Sequence, residues 1–305
     1  KFSALGDLAQ IEPFLPSLAK KHKITLFTSL LGYEYYKTSP YIADFIVLKS
    51  KKIHHLLATI PKFWNQFDYF VDMQGNDRSK FLSFFARAKR ISNYAKDFKI
   101  VSIPNSLKPY IAEQSVYHVD IYSILAQLGI TFDFLPFQRK EKTYIVLNCG
   151  SSPKWTSKRL PISKWQEIAN IAYEKFQLPF ILTGEKAECA YIEEIANAVP
   201  YPNKVLAGKT SLLELKDVLA NAFLTISKDS ASLHISSVQR TPSIGIFGPT
   251  SWIYAKPFGP WSTAIYDKVF YKEGQPPIKN RQEVDAYFGA IDITPALKEL
   301  ESYLN

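Results

Sequence analysis

Residues 224–250, LTISKDSASLHISSVQRTPSIGIFGPT, restrict the fold more than any other stretch of the chain. Leu224, Thr225 and Ile226 form an apolar, β-prone run, and Ser227-Lys228-Asp229-Ser230 reverses the chemistry at once. Asp229 or Ser230 is placed to cap a following helix, since short oxygen side chains satisfy its first amide N–H groups. That helix, 231–239, carries Ala231, Ser232, Ser236 and Ser237, small residues that allow close approach to its N-terminal end. Thr241-Pro242 ends it, and 243–247 reads as a second buried strand running into Gly248-Pro249-Thr250. Two strand ends and a helix N-terminus converge on one crevice, where α/β sheets bind ligands and where an anion is favoured. On this segment alone, an ordinary βαβ unit with a capped helix accounts for the pattern equally well.

The chain of 305 residues is long enough for one large core or two ordinary ones. A hydrophobic content of 47% with 21% charged residues excludes a disordered chain. The sequence has no apolar run of membrane-spanning length and no signal-peptide pattern. Two cysteines, Cys149 and Cys189, are too few for a disulfide framework or a metal cluster and fit a reducing cytosol. The net charge of +9 is unevenly placed: residues 1–140 hold 19 Lys and Arg against 11 Asp and Glu, which is +8. An anionic partner is therefore expected at the front half. No nucleic-acid motif accompanies the charge, so nucleic acid ranks below a phosphorylated substrate or an acidic membrane surface.

Strand and helix patterns alternate throughout. Gly6-Asp7 opens a helix over 8–20, loosened by Pro13 and Pro16; a strand is expected before it, and only Lys1-Phe2 is left to supply one, as if a few residues were missing. Strands are expected at 24–28, 45–48, 67–73 and near Ile91, with helices at 32–37, 50–63, 80–88 and 115–129. Phe81, Leu82, Phe84 and Phe85 read as the apolar face of the helix over 80–88. The polar, Pro-containing stretch 135–142 reads as a domain boundary. Beyond it, strands are expected at 144–148, 179–183 and 204–207, with helices at 162–176, 185–198 and 211–220, the last capped by Ser211. Thr294 caps a final helix with Pro295 in its first turn. Two doubly wound α/β domains follow from this alternation.

Six segments then come in order: SALGD at 3–7, VDMQGNDRS at 71–79, YHVDIYSILAQLG at 117–129, GSSPKWTSKRLP at 150–161, LAGKTSLLEL at 206–215 and SKDSASLH…FGPT at 227–250. Together they resemble the ADP-heptose:lipopolysaccharide heptosyltransferases, glycosyltransferase family 9. The resemblance covers almost the full length; each motif alone is weak, and their shared order is what makes it specific. It implies the GT-B fold, two Rossmann-like domains facing across a cleft. It divides the chain into an acceptor-binding domain at 1–140, a nucleotide-sugar-binding domain at 141–290 and a C-terminal helix at 291–305 packing back on the first domain.

The resemblance also implies roles by position. Asp7 falls on the catalytic base, which takes a proton from the acceptor hydroxyl as it attacks the sugar C1; from the residues alone, Asp7 reads as a helix N-cap. Ser151 and Ser152 fall on hydroxyls that contact the donor phosphates, and Lys158 on the phosphate-binding lysine that steadies the leaving diphosphate. Glu188 matches the acid that contacts the ribose. Asp229, with Ser230 beside it, and His234 fall on a signature at the sugar and phosphates, and Gly248 and Pro249 close the same crevice. The implied acceptor is the anionic Kdo (3-deoxy-manno-octulosonate) and lipid A inner core. Arg78 and Lys80 are expected to meet it, and Lys51, Lys52, Lys62, Arg87 and Lys89 are candidates for its phosphates or for the membrane surface.

Three positions depart from the family pattern. Ala231 stands where glycine is usual, Leu160 replaces a tryptophan before Pro161, and Lys228 adds a cation where a small or apolar residue is usual. Lys228 beside the donor either helps hold a diphosphate or marks a different nucleotide sugar, so the donor identity is what is put in doubt. The expectation is thus an inverting, metal-independent transferase with no cofactor beyond its ADP-heptose donor. It would work as a monomer at the cytoplasmic face of the inner membrane of a Gram-negative cell. No Asp-x-Asp signature lies beside a strand, in keeping with that. The alternatives are the same fold with another nucleotide sugar, such as a hexose or N-acetylhexosamine, or a catalytically silent binding protein. A dinucleotide oxidoreductase is disfavoured because no G-x-G-x-x-G follows any expected strand.

Overall fold

The computed structural model describes residues 1–50, 52–88, 90–93, 101–111, 116–150, 153–271 and 285–305. They divide into two units, Lys1–Leu135 and Pro136–Asn305, so the break falls at the start of the polar linker rather than at 140.

In the first unit, α1 (Leu5–Ala9) and α2 (Leu15–Ala19) are separated by a 3-10 turn at Glu12–Phe14. The single helix expected over 8–20 is broken because Pro13 and Pro16 each lack an N–H to continue it. β1 (Thr25–Ser29), α3 (Leu30–Tyr36) and β2 (Asp44–Leu48) form one parallel crossover, followed by the short α4 (Ile53–Leu57). β3 (Tyr69–Asp72), α5 (Asp77–Ala86) and β4 (Arg90–Asn93) form another. α6 (Val116–Ala126) follows, and the chain turns at Gly129, whose φ of +71° suits glycine. Phe2, expected in a strand, lies between the two strand pairs. Its N–H donates to Gln74 Oε1 at 2.8 Å, and its carbonyl accepts from Ser29 Oγ at 2.7 Å. Its ring joins Ile46, Leu48, Leu56, Phe63 and Leu82 in one apolar cluster.

The face expected to be buried on α5 needs correction. The helix begins earlier than expected, capped by Asn76, whose side chain accepts from the Ser79 N–H at 3.0 Å while Ser79 Oγ accepts from the Asn76 N–H at 3.1 Å. Starting there, it buries Ser79, Leu82, Ser83 and Ala86 and leaves Phe84 78% exposed, with Phe81 also at the surface.

The second unit holds a six-stranded parallel sheet of β5 (Ile145–Asn148), β6 (Phe180–Thr183), β7 (Asn203–Val205), β8 (Leu224–Lys228), β9 (Ser243–Phe247) and β10 (Ser262–Tyr266). Its spatial order is β10-β9-β8-β5-β6-β7. Numbered within the unit, that is the 3-2-1-4-5-6 order of doubly wound folds, with the reversal of direction between β5 and β8. The crossovers carry α7 (Ile162–Phe176), α8 (Cys189–Ala198), α9 (Leu212–Ala220) and α10 (Ala231–Val238). α7 buries Trp165, Ile168, Ala169 and Ala172, and Ser211 caps α9 through a reciprocal pair with Glu214, the cap as expected. β10 is an edge strand that the sequence reading leaves out.

The chain ends in α11 (Thr294–Glu299) and α12 (Glu301–Leu304). Thr294 does not cap α11; it is the first helical residue, and its N–H donates to Asp292 Oδ1 at 2.8 Å. The last turns, 293–304, pack within the second unit. Ile293, Ala296, Leu297, Leu300 and Leu304 are buried in the core of the second unit, and Glu299 accepts from Thr263 of β10 at 2.8 Å. These five apolar residues recur at helical spacing, and the nearest apolar surface for them is the sheet they follow.

Candidate active site

The carboxyl ends of β5 and β8 adjoin at the point where the strand order reverses, so polar residues at those ends face the crevice that such sheets use for ligands. β5 and β8 are buried along their whole length, which makes the polar residues that end them conspicuous. Asn148 ends β5 and ties three strands together. Its Nδ2 donates to Ser227 Oγ at 3.1 Å and to Ser230 Oγ at 2.9 Å, and its Oδ1 accepts from Thr183 Oγ1 at 3.0 Å.

This network corrects the expected cap. Ser230 occupies the N-cap position of α10, yet its hydroxyl is engaged with Asn148 and Ser227 and does not close onto the helix. Asp229 does not cap it either. The Asp229 carboxylate reaches the 3-10 segment Pro153–Lys158 of the β5–α7 crossover, where Lys158 Nζ lies 2.6 Å from Oδ2 and 3.3 Å from the Asp229 carbonyl. His234, one turn into α10 and buried, places Nε2 3.9 Å from Asp229 Oδ1. Burial alone would push the Asp229 carboxyl up; the positive charge of Lys158, with His234 behind it, outweighs burial and holds it below the usual range. Lys158, Asp229 and His234, three of the expected site residues, are thus one connected group.

Glu188 sits nearby at the end of a 3-10 turn, 1% exposed, with Oε1 3.6 Å from Arg159 Nη2. Arg159 also lies over the Tyr191 ring at 5.1 Å. Gly150 lets the β5 loop pass close to this carboxylate: a Cβ there would stand 2.4 Å from Glu188 Oε2 and 2.7 Å from Gly184 Cα. Lys228, the last residue of β8, is buried in the same region, and burial pulls its ammonium down to about 7. Gly248 and Pro249 are buried at the end of β9. Gly248 is packed beneath the Phe288 ring, and its carbonyl accepts from the Tyr271 hydroxyl. Ser151 and Ser152 lie outside the described residues, as do Lys51 and Lys89.

In the first unit, Asp7 stands in the first turn of α1 with its side chain 38% exposed. Its Oδ2 accepts from the Ala4 N–H at 3.0 Å and lies 3.3 Å from Lys1 Nζ; the helix starts earlier than expected, so Asp7 is its third residue, closing back onto the N-cap Ala4, and not the N-cap itself. Arg78 and Lys80 are exposed in the first turn of α5, beyond the end of β3. Asn148 and Arg159 are parts of the site that sequence reasoning passed over. A polar residue ending an otherwise apolar strand was the signal for Asn148, and adjacency to Lys158 was the signal for Arg159.

A doubly wound sheet with paired cations and carboxylates at its switch point has the form of a nucleotide-binding α/β protein. The glycosyltransferase family 9 (heptosyltransferase) profile matches residues 63–273, more than half of the 305. The chain belongs to that family. It is 28% identical over 147 residues to the lipopolysaccharide core heptosyltransferase OpsX of Haemophilus influenzae, covering 47% of this chain and 41% of that protein. It is 35% identical over 118 residues to lipooligosaccharide heptosyltransferase 2 of the same organism, covering 37% of this chain and 34% of that protein. These stretches span well under half the length of the curated relatives they match. Among solved structures, the E. coli heptosyltransferase WaaC with ADP superposes with a TM-score of 0.71 at 16% identity, covering 99% of this chain and 98% of that one. The fold is therefore the expected GT-B type, built from two Rossmann-like units.

Proposed function

We propose that this protein is an inverting, metal-independent heptosyltransferase that moves a heptose from ADP-heptose to the Kdo and heptose inner core of lipopolysaccharide. The observation that carries the reading is the Lys158–Asp229–His234 group at the switch point of a family 9 sheet. Lys158 is held by Asp229 at a fixed place, and a fixed cation stabilises the charge that grows on a diphosphate as the C1–O bond breaks. The displacement at C1 has oxocarbenium character; ADP leaves, and Asp7 accepts the acceptor's proton. The partial exposure of Asp7 supports that role, since a base must be reachable by its substrate. Arg78 and Lys80 are assigned to the anionic acceptor.

The same reading puts the protein at the cytoplasmic face of the inner membrane as a monomer. No helix of the described residues is long and apolar enough to cross a membrane. Support for peripheral attachment comes from the first unit, where Trp64, Phe81 and Phe84 are exposed around the Phe85 ring and Arg87 lies 4.8 Å over Trp64. Aromatic rings beside cations suit the boundary between lipid headgroups and acyl chains. Sedimentation of the purified protein checks the monomer.

The test is thermal unfolding with ADP, UDP and GDP. A ligand at a hundred times its dissociation constant stabilises by about 2.7 kcal/mol, enough to raise the midpoint by several degrees. A rise with ADP alone, followed by heptose transfer to a Kdo–lipid A acceptor, is the expected result. A rise with UDP or GDP instead would remove the heptose from the reading.

A further inference from the structure

Lys228 brings a charge into this site that the Lys158–Asp229 pair leaves unmatched. Its side chain is 1% exposed, and its Nζ has no hydrogen-bond partner among the described residues. The groups that face it come from three surrounding segments. Cys149 lies on the loop after β5, Lys158 and Arg159 at the end of the 3-10 segment, and Glu188 on the turn after β6. The Cys149 thiol is pushed up by burial and adds no charge at neutral pH. Asp229 is already held by Lys158 at 2.6 Å, and Glu188 lies 3.6 Å from Arg159. Counting Asp229 and its neighbour His234 with these groups, four potential cations stand against two carboxylates in one buried place. A buried ammonium without an acceptor is costly unless a partner arrives or it loses its proton.

We propose that Lys228 is a second phosphate-binding residue of the site, whose ammonium takes from an entering diphosphate the hydrogen-bond acceptor it otherwise lacks. This rests on the reading of the crevice as the donor site and deepens it. The free protein, with this ammonium near neutrality, holds Lys228 largely deprotonated at about pH 8. A diphosphate favours the charged form, so binding draws a proton from solution. The competing role is a fixed counter-ion for Glu188, which would take up no proton.

Isothermal titration calorimetry at about pH 8, in two buffers of different ionisation heat, separates the two. The probes are ADP and inorganic pyrophosphate, each titrated into wild type, Lys228→Met and Lys228→Arg. Wild type should take up close to one proton per ADP bound; pyrophosphate still carries a proton of its own at about pH 8, so its count is read as the difference between wild type and Lys228→Met. Lys228→Met should take up none with ADP and bind roughly ten- to a hundred-fold more weakly. Lys228→Arg, charged at every accessible pH, should bind without uptake. The arginine variant and the wild-type proton count keep the test decisive should the methionine variant fail to fold. Wild-type binding without uptake, uptake that persists in Lys228→Met through His234, or no binding of either probe would overturn the proposal. Pyrophosphate binding with Lys228-dependent uptake but no affinity for ADP would retain Lys228 and sink the ADP reading instead.

Discussion

Asp229 holds the site together from the end of β8. It is the partner of Lys158, the neighbour of His234 and the residue next to Lys228, so its carboxylate orders cations that would otherwise repel one another. Removing one member of a mostly buried pair leaves the other uncompensated. Asp229→Asn should therefore lower stability by about 3 kcal/mol, the lower end for such pairs because both groups keep some exposure, as measured by urea unfolding. Its pH dependence has a definite sign. The folded carboxyl is held below the ordinary value, so the contribution is complete above about pH 4 and is lost as pH falls through the lower folded value. The variant should show a flatter acid limb than wild type. Asp7 makes a separate case, since its Oδ2 accepts the Ala4 N–H whether or not it is a base. Asp7→Asn keeps an acceptor for the Ala4 N–H but removes the carboxylate beside the buried Lys1 ammonium, so some stability is lost, while turnover falls roughly 10²- to 10⁴-fold with ADP affinity unchanged. A variant that turns over normally would leave Asp7 as part of the helix start and nothing more.

At the scale of elements, close backbone approach matters as much as charge. The loop after β5 reaches Glu188 only because Gly150 has no Cβ. In Gly150→Ala the new methyl would meet the Gly184 backbone, which cannot rotate away as a flexible side chain would. A loss of about 1–3 kcal/mol is expected, together with weaker ADP binding, measured by urea unfolding and calorimetry. Much of this unit was legible in the sequence. α7 carries a strong apolar stripe, and the Ser211–Glu214 capping box announces α9. What was misread has physical causes. Pro13 and Pro16 cut an expected helix in two, and the Asn76 cap shifted α5 so that an aromatic face read as core became surface. The end of β8 was legible as a site, and the resemblance supplied Lys158. Their pairing was not legible, because Lys158 and Asp229 are 71 residues apart and meet only when β5 and β8 become neighbours.

For the whole molecule, the division of charge separates two tasks. The first unit, residues 1–135, carries +6 of the net +9, with 17 Lys and Arg against 11 Asp and Glu, while the switch-point group lies in the second unit, which carries +3. The exposed aromatics are in the front unit as well: Trp64, Phe81 and Phe84 surround Phe85 near Lys62, Lys80 and Arg87 in the sequence. Attraction of the basic unit to an acidic surface is long-ranged and is screened by salt; ring insertion is short-ranged and is not. The two contributions can therefore be told apart by vesicle co-sedimentation. Binding to vesicles containing anionic lipid should exceed binding to neutral ones and should weaken steeply as salt is raised from low to physiological strength. Phe84→Ala should weaken binding at every salt concentration by a similar factor. With its side chain 78% exposed, Phe84 contributes little to the core, so unfolding should shift by less than about 0.5 kcal/mol. ADP affinity of the same variant should be unchanged, because the switch-point group shares no residue with this patch. Equal binding of wild type and Phe84→Ala to anionic vesicles would leave the aromatic patch without a role at the membrane. The basic charge alone would then account for attachment.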